Sequence, residues 1–219
     1  MANNGLIFHT PKELDVPLWK YLDFTRFASL INTGSLYFAR ADQLLDPYEG
    51  SYPLTDHHQT RKQVFLNCWH QSEHESAAMW ELYAQKNEGL AIVSTFNKLE
   101  SSFTVAEGHD IHFGQINYID YSDIKKPSSD PIKPFAYKRK SFEHEKEVRA
   151  IIHCEDKDKC LYKGIFIPIN INKVIDHIHV APYADDWIVD LISNLLNKYG
   201  LSVPVTKSRL YDSGEVLGI

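Results

Sequence analysis

The chain has 219 residues, 43% of them hydrophobic, with 10 glycines and 10 prolines, enough to bury a core as one domain spanning residues 1–219. Its apolar runs are short and broken by charges, and the opening "MANNGLIFHTPKE" lacks a basic leader followed by a long apolar stretch, so no membrane span or secretory signal is expected and a soluble, cytoplasmic protein is. Three cysteines without a CxxC pair argue for a reducing compartment and against a cysteine-type zinc site, and a net charge of −6 disfavours nucleic acid as a partner, although Lys138, Arg139 and Lys140 form a local patch suited to a phosphate.

In chain order, the first helix is predicted from Phe24 to Asn32, with Asp23 or Thr25 as its cap, Phe24, Phe27, Leu30 and Ile31 on one stripe, and Gly34 to end it. "SLYFA" reads as a strand, and the polar, proline-containing "RADQLLDPYEGSYPLTDHH" as a long ordered loop before the strand "VFLNCW". Loops of that length in compact domains are often functional. Ser72 with Glu75, or Ser76, caps a helix from about Ser76 to Lys86 that stops at "NEG" and turns Met79, Leu82 and Tyr83 to the core. "GLAIVSTF" follows as a buried strand, "FGQINYIDY" as another, and "KKPSSDPIKP" as a surface loop. Strands are expected at "GIFIPI", "VIDHIHVAP" and "VPVTKSRL". Between the last two, a helix from Ala184 to Tyr199 is expected to turn Trp187, Ile188, Leu191, Ile192, Leu195 and Tyr199 to one side. Strands and helices intermix without regular βαβ alternation or a repeat, which gives an α+β fold around a mixed, largely antiparallel sheet flanked by helices.

Three constellations carry possible chemistry. In "SFEHEKEVRAIIH", an extended strand points Glu143, Glu145, Glu147 and Arg149 one way and His144, Val148, Ala150 and Ile152 the other. Crowded carboxylates raise one another's pKa unless a cation intervenes, and Arg149 is such a cation. One reading is a solvated strand face with a cross-strand ion pair; the other is a pair, Glu145 and Glu147, held by Arg149 at a ligand pocket. Trp80 and Tyr83 have the spacing for a ring pair on one helix side, either core packing or a stacking platform for a flat ligand. Arg40, Asp42, Asp46 and Glu49 share a turn, as local ion pairs or as the rim of an anion site centred on Arg40. The 11 histidines include His177 and His179 at i, i+2, but no HExxH, GxSxG, GxGxxG or Walker spacing occurs, and no metal site is assigned.

"LYFARADQLLDPYEG", "NCWHQSEHESAAMWELYAQKNEGLAIVSTF" and "KRKSFEHEKEVRAII" together resemble the bacterial family of domain of unknown function 2971. The resemblance extends to "LWKYLDFTRFASLINTGSLYFAR" near one end and "HIHVAPYADDWIVDLISNLLNKYGL" near the other. It implies no established reaction. The order of an aromatic-bearing strand, a helix ending in Gly, a strand and a late Glu on a strand also resembles ADP-ribosyltransferase folds, in which NAD lies in a cleft of a split sheet. That second resemblance implies Trp19, Lys20 and Tyr21, or His9 and Thr10, at the first-strand position, Tyr83 stacked on nicotinamide, and Glu145 or Glu147 as the late acid. It also implies Arg40, Lys138 and Arg139 on the pyrophosphate. The expectation is an enzyme or effector acting on a nucleotide-like ligand, NAD as its substrate in the sharpest form, with a non-catalytic ligand-sensing or protein-interaction domain as the alternative.

Overall fold

The computed structural model describes residues 10–50, 57–84, 87–103, 110–120, 122, 130–155 and 159–212. The strands are β1 (Pro17–Asp23), β2 (Ser35–Arg40), β3 (Val64–Gln71), β4 (Gly89–Thr95), β5 (Ile111–Gln115), β6 (Asn117–Ile119), β7 (Tyr137–Arg139), β8 (Glu147–His153), β9 (Gly164–Pro168), β10 (His177–Val180) and β11 (Val205–Lys207). The helices are α1 (Phe24–Thr33), α2 (His57–Gln63), α3 (Ala77–Tyr83), α4 (Phe96–Ser102), α5 (Ile171–Val174) and α6 (Asp186–Lys198). The expected α+β class, with a mixed and largely antiparallel sheet and helices alongside, is the class found.

These residues form two compact units, each built from separated stretches of chain: one from 1–14, 36–71 and 106–168, the other from 15–35, 72–105 and 169–219. In the first unit β3 and β8 pair antiparallel over their length, β5 lies on the other side of β8, and β2 pairs with β3 at Ala39 and Arg40. A separate two-stranded sheet, β6 parallel to β7, sets Tyr118 opposite Lys138. The core here is apolar and continuous: Val64, Leu66 and Ile151 from the strands meet Ile116, Ile132 and Phe135.

In the second unit β4 lies between β1 and β10, antiparallel to both, and β11 runs parallel beyond β10. The helix start read from the sequence at Asp23 holds in detail, because its carboxylate accepts the Arg26 amide at 2.7 Å. Gly34 ends the helix at φ +63°, a conformation that costs a residue without Cβ little, and its amide donates to the Leu30 carbonyl at 2.9 Å.

Several elements depart from expectation. "FGQINYIDY" is two strands in different sheets, since Gln115 ends pairing with β8 and Asn117 begins pairing with β7. Thr95 ends its strand by capping α4, accepting the Lys98 amide, so Phe96 is helical. The described end of the long loop holds α2, and the residues 51–56 between lie outside the described set, as do His9 and the first half, 125–129, of "KKPSSDPIKP". The helix faces are rotated: α3 buries Met79 and Trp80 while Leu82 is 58% exposed, and α6 buries Ile188, Ile192 and Leu196 at strict i, i+4 spacing while Trp187 is 58% exposed. In both, a wide apolar stripe offered more candidates than one layer can cover, and packing chose its edge. No described helix is long and apolar enough to cross a membrane.

Candidate functional site

The stretch around Glu145 is not one strand. Residues Lys140–Glu145 form a 3-10 turn, Lys146 takes the left-handed conformation at φ 41°, and β8 begins only at Glu147. Glu143 is therefore off the ladder and exposed. Neither is the polar face of β8 wetted: β3 and β5 flank the strand on both edges, and Glu147 and Arg149 are 5% and 1% exposed. The period-2 pattern holds only for Glu147 and Arg149, and it misjudged their surroundings, because charged side chains on a central strand must find partners rather than water.

Those partners come from three segments of the first unit. Lys138 on β7 donates through Nζ to Oε1 of Glu147 at 2.6 Å and to Oε2 of Glu145, so the two acids share one ammonium. Side chains two apart on a plain strand stand about 7 Å apart. The left-handed Lys146 between them breaks that spacing, and its backbone is tied on both sides, its amide to Glu143 and its carbonyl accepting from Gln71 at 3.0 Å. Arg149 donates through Nε to Glu147 and through Nη1 to the Phe135 carbonyl at 3.1 Å, and its Nη2 forms an ion pair with Glu49. Lys138 Nζ also lies 3.8 Å from Glu49. Tyr118, opposite Lys138 across the small sheet, accepts the Glu147 amide at 2.8 Å, and His70 bonds the Glu145 carbonyl at 2.7 Å.

Electrostatics separate the two acids. Burial, reinforced by a hydrogen bond to Glu147 and its charge, pushes the Glu145 carboxyl up to about 7, against the pull of Lys138. Glu147 is also buried, yet Arg149, the hydrogen bond from Glu145 and Lys138 hold it well below the usual carboxylate range. Burial works against charge on Lys138 and Arg149 as well, but the surrounding carboxylates outweigh it and both bind their protons more tightly than usual. Tyr118 is raised by burial and by Glu147, and His70 is lowered by burial, so both are neutral at neutral pH. The arrangement is one permanent anion beside one carboxyl that changes charge near neutrality.

The other anticipated residues lie as follows. Arg139 binds Asp46, through Nη2 at 3.1 Å and Nε at 3.3 Å. Arg40, expected to centre an anion site, is taken up by Asp42 at 2.7 Å and by the Cys160 carbonyl. Of the turn read as Arg40, Asp42, Asp46 and Glu49, only Asp42 is Arg40's partner; Asp46 and Glu49 serve Arg139 and Arg149. In the second unit, Tyr21 and Trp80 meet edge to face at 5.0 Å, so Trp80 packs against β1. Tyr21 accepts the Ser76 amide at 2.8 Å, and Trp80 donates to Glu75 at 2.9 Å. Tyr83 stands at the helix end, 39% exposed. Among the described residues no group of three or more His, Cys, Asp and Glu is placed to hold a metal ion.

Sequence reasoning missed Glu49 as a member of the cluster, and it had a signal to follow. "DPYEG" joins a turn-forming Asp-Pro to a Gly, which marks a tight turn around the acid.

The sequence model of a family described as "Protein of unknown function (DUF2971)" matches residues 79–150. No curated protein matches the chain. Among solved structures, Thermus sp. 2.9 DarT in complex with NAD+ is similar at 11% identity and a TM-score of 0.43, over 90% of this chain and 98% of that one. The same protein in complex with ADP-ribosylated ssDNA gives 11% identity and a TM-score of 0.43, over 92% of this chain and 98% of that one.

Proposed function

We propose that the chain is a transferase acting on NAD or a related nucleotide, with Glu147 and Glu145 as its acids. The observation that carries this reading is that the two carboxyls share the Lys138 ammonium while their environments drive their proton affinities apart. Paired acids of unequal strength are the arrangement that divides charge stabilisation from proton transfer. Breaking the bond between nicotinamide and ribose sends the bonding pair out with nicotinamide and leaves positive charge on the sugar. Glu147, ionised throughout, stabilises that charge. Glu145, deprotonated above about pH 7, takes the proton of the attacking nucleophile as the new bond to the ribose carbon forms.

The test follows nicotinamide release from NAD by the full chain and by its Glu147→Gln and Glu145→Gln variants, with thermal shift in NAD as a second readout. Loss of one electrostatic stabiliser is expected to slow release by Glu147→Gln roughly 100- to 1,000-fold. Wild-type release is expected to rise through about pH 7 and Glu145→Gln to lose that rise. Glu145→Gln resembles the protonated wild-type acid, so it folds even where Glu147→Gln does not. Absence of release by the wild type, with no thermal shift from NAD, overturns the transferase. A second reading, a non-catalytic ligand-sensing or interaction domain, draws support from the burial of Glu147 at 5% exposure with both cations already engaged. It predicts a thermal shift with nucleotide and no release from any form.

A further inference from the structure

The loop "DPYEG", 46–50, is tied down along its length. Asp46 accepts the Tyr48 amide at 3.0 Å and its carbonyl accepts the Glu49 amide at 3.2 Å. Arg61 of α2 reaches over to the Pro47 carbonyl at 2.7 Å and the Ala41 carbonyl at 3.0 Å. Glu49 is anchored below by Arg149. Gly50, at φ +71°, lies so close to Phe135 that a Cβ there would come within 2.1 Å of the ring.

On this rigid loop stands Tyr48, 57% exposed. Its ring lies 5.0 Å from the Arg139 guanidinium carbon, and Phe142 lies 5.4 Å from the same carbon and 4.8 Å from Lys138 Nζ. Arg139 is oriented by its two bonds to Asp46. In a 3-10 turn residues three apart eclipse, which sets Phe142 on the same edge as Glu145. Tyr48, Arg139 and Phe142 are thus an aromatic–guanidinium layer against the shared ammonium. A large flat ring held half in water by a fixed backbone loses little freedom when a second flat ring covers it.

We propose that Tyr48 is the surface on which the flat base of a nucleotide stacks, with Arg139 beside it facing the ligand's phosphate. The inference deepens the transferase reading and rests on it for the class of ligand. It assigns base recognition to the "DPYEG" loop, the same loop that supplies Glu49 to the acid cluster.

The experiment titrates AMP and ribose 5-phosphate, which lacks the base, into the wild type, Tyr48→Leu and Tyr48→Phe by calorimetry, with nicotinamide release measured alongside. The wild type is expected to bind AMP more tightly than ribose 5-phosphate. Tyr48→Leu is expected to weaken AMP roughly five- to 100-fold and leave ribose 5-phosphate unchanged, and Tyr48→Phe to keep the wild-type preference. Equal binding of the two probes by the wild type, no AMP binding, or wild-type AMP affinity in Tyr48→Leu overturns the assignment. A base preference that depends on Tyr48 without nicotinamide release defeats the transferase alone. Release that is indifferent to Tyr48→Leu, with no base preference, defeats this assignment alone.

Discussion

The charged cluster of the first unit and the aromatic cluster of the second are both buried, yet they solve burial in opposite ways. Around Tyr21 and Trp80 the bulk is apolar ring surface, and each polar tip has a local partner: Trp19 Nε1 donates to the Ser72 carbonyl at 2.8 Å, Tyr21 accepts from Ser76 and Trp80 donates to Glu75. Around Glu147, three carboxyls and two cations sit out of water where well-packed apolar side chains of similar volume are often as stable or more so. The aromatic cluster is therefore accounted for by folding, and the charged one is not. That difference is the physical ground for placing chemistry in the first unit.

The largest effect expected from breaking this comparison comes from Arg149→Met. It removes the cation from Glu147 and Glu49 at a site 1% exposed. Urea unfolding is expected to show a loss of about 3–5 kcal/mol. A triple variant, Glu49→Gln, Glu147→Gln and Arg149→Met, is expected to regain most of that loss, because it leaves no buried charge without a partner. A single variant within about 1 kcal/mol of wild type would show that the network carries no such burden and would remove the contrast.

How much of this was legible depends on the kind of signal. Asp23, Gly34 and Ser76 were readable because a cap acts within a few residues, and the runs "VFLNCW" and "GLAIVST" because a buried strand needs continuous apolar sequence. Glu145, Glu147 and Arg149 were readable as charged neighbours in sequence, although strand spacing relates only the last two. The left-handed Lys146 was not, since no glycine or asparagine advertised it. Nor was the assignment of partners beyond the local pair of Arg40 with Asp42: Asp46 and Glu49 share that turn but serve Arg139 and Arg149, a choice made by tertiary packing that local pattern does not encode. Trp187 was misplaced for a similar reason, since the stripe on α6 was wide and the register of its packing is tertiary information.

A second, smaller effect sharpens the electrostatic half of the contrast. Folding raises the Glu145 carboxyl from 4.5 to about 7, so its protonated form is the one the native state favours. Its contribution is fully present below about pH 4.5 and is lost as pH rises through about 7. Glu147 has the opposite sign: depressed in the fold, it contributes stability above its ordinary range, and that is lost as the solution is acidified below it. Denaturation followed across pH 4.5 to 8 is expected to show a fall in the wild type that Glu145→Gln abolishes. An unchanged pH profile in the variant would mean that Glu145 titrates as a solvated acid.

The smallest effect belongs to the aromatic cluster. Tyr21→Phe keeps the edge-to-face contact with Trp80 and removes only the oxygen that accepts the Ser76 amide. Ser76 is half-buried, so water can replace part of what is lost, and its own hydroxyl still caps α3 by accepting the Met79 amide at 3.4 Å. The cost is expected to be about 1 kcal/mol in urea unfolding, without change in the pH profile. Because nicotinamide release in the proposed mechanism depends on the first unit's acids, the activity of Tyr21→Phe is expected to match wild type at a temperature where both are folded. A fall in release of tenfold or more, beside so small a change in stability, would move the aromatic cluster from scaffold to site and erase the contrast between the two.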